Sequence, residues 1–98
     1  MKLVRAREVT ASTNEVVDHF ADSGAELKVS LLEDSEVLIE GDANSLEFLA
    51  NYILAYINGD EHGLNINPSG AGSLFFRSGS THGLYIHILP CRHGHPDE

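Results

Sequence analysis

The stretch from Asp42 to Gly59 constrains this chain more than any other. Leu46, Leu49, Ala50, Ile53, Leu54 and Ile57 recur at i, i+3 and i+4, which gathers them on one side of a helix, with Glu47, Asn51 and Asn58 opposite. Asp42 or Asn44 can cap the start, Asn44 with Glu47 three residues on, and Asn58-Gly59 stops it. The spacing predicts a helix over about 43–58. An amphipathic helix of that length has to bury its stripe against another element, and 98 residues supply one core for it to use.

The other elements follow from shorter patterns. Ser12-Thr-Asn-Glu15 has the form of a capping box: the serine hydroxyl meets the Glu15 amide and the glutamate reaches back. With Val16, Val17, Phe20 and Ala21 behind it and Gly24 as a stop, it predicts a helix near 13–23. Leu27, Val29 and Leu31 alternate with Glu26, Lys28 and Ser30, and Glu33-Asp34-Ser35 is turn chemistry. Val37 and Ile39 resume the alternation, so a hairpin is expected. A weaker alternation over 2–9 is compatible with a short edge strand. Leu64/Ile66, Leu74/Phe76 and Leu84/Ile86/Ile88 alternate likewise, separated by Pro68-Ser-Gly-Ala-Gly72 and Ser78-Gly-Ser80, and read as a three-strand meander.

The expected architecture is therefore α+β: one antiparallel sheet of five to six strands, with one long and one shorter helix packed on its apolar face. That face would comprise Leu27, Val29, Leu31, Val37, Ile39, Leu64, Ile66, Leu74, Phe76, Leu84, Ile86 and Ile88. The other face, carrying Lys28, Ser30, Asn65, Phe75, Arg77, Tyr85 and His87, would stay open to solvent, to a partner or to a second copy in a homodimer. Residues 1–90 form the expected domain, and 91–98 a flexible polar tail.

Charge narrows the partners. Fifteen acidic residues against six basic ones give a net charge of −9, a field that repels nucleic acid and anionic membranes alike. Ten of the acids and a single lysine lie between Glu15 and Glu47, so that segment holds the whole excess. A lone cysteine, Cys91, excludes an internal disulfide and suits a reducing cytoplasm. The apolar runs are too short to span a bilayer, and MKLVRAREVT lacks the apolar core of a secretion leader.

Residues that carry chemistry are few. His62-Gly-Leu-Asn-Ile66 is echoed by His82-Gly-Leu-Tyr-Ile86; in a meander these histidines stand about 10 Å apart, two strand spacings of ~4.8 Å, too wide to share a metal. They read as incidental to glycine turns. Cys91, His93 and His95 alternate and would share a face in extended chain, a thiolate with two imidazoles that suits zinc or copper. This metal-binding regulator is the alternative to a loose tail. No nucleophile elbow, phosphate loop or dry carboxylate pair is present, so neither an enzyme nor a resident cofactor is expected. On the long helix Phe48, Tyr52 and Tyr56 form an i, i+4, i+8 row beside the stripe. Tyr56 falls at the core edge, and Phe48 and Tyr52 turn progressively outward as candidate interface anchors.

Leu38-Ile-Glu-Gly-Asp42, Leu46-Glu-Phe-Leu-Ala50, His62-Gly-Leu-Asn-Ile66 and Leu84-Tyr-Ile-His-Ile88 together resemble the immunity protein 32 family of bacterial polymorphic toxin systems, over about residues 37–89. The resemblance implies a protein without catalysis of its own that neutralises a toxin by binding it; no single functional residue carries over. The charge argument is compatible, because an acidic inhibitor associates quickly with a basic toxin domain. The expected partner-binding residues are Glu33, Asp34 and Glu36 at the hairpin tip, Glu40 and Asp42 at the strand–helix junction, and Phe48, Tyr52, Tyr85 and His87 for apolar contact.

Overall fold

Two capped helices anchor the architecture. The computed structural model describes residues 1–33 and 35–92. Helix α1 spans Thr13–Ala21 behind the capping box expected of it: Ser12 Oγ accepts from the Glu15 amide and the Glu15 carboxylate accepts from the Ser12 amide, both at 3.1 Å. Helix α2 spans Ala43–Asn58. Of its two candidate caps Asp42 takes the position, accepting from the Ser45 amide at 2.8 Å and the Ser45 hydroxyl at 2.7 Å. Asn44 instead donates to the Ser23 carbonyl and hydroxyl, tying α2 to the end of α1.

The chain is α+β, but the single sheet of five to six strands does not form among the described residues. Four strands make two separate antiparallel pairs: β1 (Lys28–Leu32) with β2 (Glu36–Glu40), and β3 (Leu64–Ile66) with β4 (Leu84–Ile86). The expected middle strand of the meander is instead a 3-10 turn over Ser73–Phe75. Its sequence explains the change. Strict alternation would place one of the neighbouring aromatics Phe75 and Phe76 in water, whereas the turn buries both and exposes Leu74. Gly72 opens the turn at φ +75°, where a Cβ would also lie 2.6 Å from Ile66 Cγ2, so only glycine fits. The expected edge strand over 2–9 is likewise a short 3-10 turn at Ala6–Glu8, held by Asn58, whose amide donates to the carbonyls of Ala6 and Val9.

With β3 and β4 paired directly, residues 67–83 leave that ladder and run along the free edge of β1. Leu27 donates to the Phe75 carbonyl at 2.7 Å and accepts from the Arg77 amide at 2.9 Å, while Val29 accepts from Thr81. The Ser80 hydroxyl stands in for a strand partner, donating to the Leu27 carbonyl and accepting from the Val29 amide, both at 3.2 Å. Leu27 and Val29 are consequently fully buried at the centre of the molecule.

The core is aromatic. Phe20, Phe48, Phe75 and Tyr52 stack or tilt against one another, with Phe48 in contact with all three others. This corrects the expected face of α2. Ser45, Phe48, Ala55 and Tyr56 are buried, with Leu49, Tyr52 and Ile53 packed beside them, while Leu46, Ala50 and Ile57 face out. The helix is turned by about one residue, roughly 100°, because large aromatic rings remove more area from water than the aliphatic stripe does. Phe48 is therefore wholly buried rather than turned outward, and Tyr52 is half-buried. No helix among the described residues is long and apolar enough to cross a membrane.

Candidate functional site

Two surfaces gather the residues singled out above. The first is the outer part of the β1–β2 hairpin. The register places Val29 opposite Ile39 and Leu31 opposite Val37, so these four share one face. Val29 is sealed in the core, but the face continues beyond the cover of the helices, leaving Leu31 46%, Val37 59% and Ile39 36% exposed. The expectation that the whole apolar face would be buried fails here because the residues that meet β1 are the loop 75–82, which reaches only Leu27 and Val29. Glu33 sits at the tip in the left-handed region at φ +54°, and Glu36 and Glu40 project from the opposite face. Asp34 lies outside the described residues.

Asp42, at the foot of the same hairpin, is a capping group. The Ser45 hydroxyl and amide hold its carboxyl below the ordinary value, and Arg77 adds to this. Ser45 is itself buried and accepts from the Glu26 amide at 2.9 Å, so the cap also locks the entry to β1. Burial, and then the charge of Glu61, push the Tyr52 phenol up. Phe48 and Tyr52 stack at 5.3 Å between centroids and belong to the core, not to the outer surface.

The second surface lies at the end of the β3–β4 ladder. In the meander expected from sequence, His62 would look across to His82. The observed register pairs Leu64 with Ile86 and Ile66 with Leu84, and continuing it by one step brings Gly63 opposite His87. Beyond that point the ladder has ended, and His62 meets His87 with ring centroids 4.7 Å apart and planes tilted by 36°. His82 is at the other end of the ladder, its Nδ1 2.7 Å from Thr81 Oγ1. Exposed Tyr85 lies over Gly63, where a Cβ would stand 2.6 Å from its hydroxyl, and its ring centroid is 6.3 Å from that of His87.

Cys91 completes this group. After Ile88 the chain passes through a cis Leu89–Pro90 peptide, and Cys91 Sγ comes to 3.7 Å from His62 Nδ1. Cys91 and Arg92 are held against the body of the chain, and the rest of the expected tail lies outside the described residues. Arg92 donates to the carbonyls of Tyr56, Ile57 and Glu61, capping the C-terminal end of α2, and its guanidinium lies 5.0 Å from the centre of the Tyr56 ring. The buried Tyr56 hydroxyl donates to the His62 carbonyl at 3.0 Å and accepts from the Ile88 amide at 2.9 Å. Helix, ladder and C-terminal segment are thereby fastened around one point. Cys91 keeps company with His62 and His87; the other members of its sequence grouping, His93 and His95, lie outside the described residues.

No protein-family model, curated protein or solved structure matches the chain. The likeness to immunity protein 32 rests on the sequence motifs alone.

Proposed function

We propose that the chain is a non-catalytic acidic binding protein of the immunity type, which neutralises a basic toxin domain in the cytoplasm by direct contact. The observation that carries this reading is the exposed apolar face of Leu31, Val37 and Ile39 set within the most acidic part of the chain, with Glu33 at the hairpin tip and Glu36 and Glu40 on the hairpin's other face. Apolar area released from water supplies affinity at the centre of such a contact, and the carboxylates of the same hairpin supply steering and reject acidic competitors. The partner is basic because an excess of ten acids over one lysine between Glu15 and Glu47 attracts positive charge and repels negative. Phe48 and Tyr52 take no part, being committed to the core. Tyr85 is exposed on a separate surface and offers an additional aromatic contact.

The test starts from the genes flanking the one for this chain: a basic toxin domain encoded there is co-expressed with it. The wild-type chain restores growth and binds that domain with an association rate that falls steeply as salt rises. Leu31→Asp combined with Val37→Asp abolishes protection while leaving the protein folded, and reversing Glu33, Asp34 and Glu36 to lysine slows association and flattens the salt dependence. Protection that survives both sets, or a hairpin face occupied in solution by a second copy of the chain, overturns the proposal.

A further inference from the structure

The geometry points to a transition-metal site formed by His62, His87 and Cys91, taking zinc(II) through one thiolate and two imidazoles. The candidate ligand atoms of these three residues all lie within 4.8 Å of one another, with Cys91 Sγ 3.7 Å from His62 Nδ1. In a tetrahedral zinc site with Zn–S near 2.3 Å and Zn–N near 2.0 Å, neighbouring ligand atoms stand roughly 3.3–3.5 Å apart. Closing the site therefore requires the ligand atoms to draw together by at most about 1.5 Å.

The frame behind the ligands is what separates this group from a chance surface cluster. All three side chains are half-buried. His62 and His87 lie just beyond the last β3–β4 pair, and the Tyr56 hydroxyl binds the His62 carbonyl and the Ile88 amide, tying the two strand ends together. Arg92, immediately after Cys91, is held on the last carbonyls of α2, which fixes the approach of the thiol. Ligands carried on ordered backbone bind metal with little ordering cost. A Cys–His nucleophile pair would need only one imidazole, whereas here a second, tilted ring converges on the same space. The donor set is soft enough to prefer zinc over magnesium or calcium. Zinc binding displaces the thiol proton, so the loaded site carries one positive charge, and three protein ligands leave a fourth position for water or an external donor.

Cobalt(II) and zinc(II) titrations of the reduced, chelator-treated full chain test the site. One cobalt per chain is expected, with a thiolate-to-metal charge-transfer band and the intense visible absorption of four-coordinate cobalt, displaced by zinc. Zinc should also protect Cys91 from alkylation by iodoacetamide. Cys91→Ser, nearly isosteric, abolishes the charge-transfer band, and His62→Gln and His87→Gln each weaken binding at least about tenfold. His82→Gln and a combined His93→Gln/His95→Gln variant retain the spectrum. Circular dichroism accompanies each variant, and if either histidine variant unfolds, Cys91→Ser and the alkylation assay decide alone. Absence of the band in the wild type, or binding that survives loss of His62 and His87 but fails with His93 and His95 replaced, overturns the assignment.

Discussion

Phe48 and Phe75 stack with their ring centroids 4.0 Å apart and their planes within 15° of parallel. One comes from the middle of α2 and the other from a 3-10 turn that sequence alternation places in a strand pointing to solvent. Their contact joins the helix to the loop that borders β1. Replacing Phe48 by alanine should cost about 3–5 kcal/mol in urea denaturation, a large share of the stability of a domain this size. Phe75→Ala should cost a comparable amount, and the double variant should show a coupling of about 0.5–1.5 kcal/mol. Leu74→Ala, exposed beside them, should change stability by no more than about 0.5 kcal/mol.

Tyr56→Phe isolates the buried hydroxyl that joins the ends of the β3–β4 ladder. The ring keeps its packing, but the Ile88 amide and the His62 carbonyl lose their shared partner. A loss of about 1–3 kcal/mol is expected in chemical denaturation. Amide exchange at Ile88 should accelerate more than exchange in α1.

Asp42 should impose a pH dependence on stability. A carboxylate held below its ordinary value of 3.8 by the Ser45 hydroxyl and amide stabilises the fold in full above that value. The contribution disappears as pH falls through the lower, folded value. Wild type should therefore exceed Asp42→Ala in thermal stability at pH 7, and the gap should narrow as pH falls below 3.8. A gap that stays constant to pH 2 would contradict the assigned cap.

The hairpin should divide into a part that stabilises and a part that does not. Val29→Ala removes two buried methyl groups and should cost roughly 2 kcal/mol. Val37→Thr, on the same face but largely in water, should stay within about 0.5 kcal/mol of wild type. Equilibrium denaturation of the two variants side by side checks the division.

The legible parts of this fold are those specified by neighbours in sequence. The Ser12–Glu15 box, the Asp42 and Gly59 boundaries of α2 and the Glu33 turn each depend on residues within one or two turns of chain, and all appear close to where the pattern places them. What escaped depends on competition between distant groups. The aliphatic stripe of α2 is a regular pattern, but Phe48 and Tyr56 find Phe75, Phe20 and the ladder ends, and the helix turns to suit them. Short strands with alternating residues do not reveal whether they join one sheet or two. The same ambiguity concealed the histidine pair. A direct β3–β4 pairing puts His62 beside His87, whereas an intervening strand puts it across from His82. The excess of glycine and serine between 68 and 80 was the available signal that no strand intervenes. Cys91 reaches the pair only because Arg92 docks on α2, a contact that no local pattern encodes.

The excursion of residues 67–83 from β3 to the edge of β1 and back to β4 makes one bracket serve two ladders. Peeling that bracket away would bare Leu27 and Val29 and, at the same time, unmoor the point where β4 returns to β3. Neither hairpin can melt while the other survives intact, so heat or urea should take the molecule apart in a single steep step.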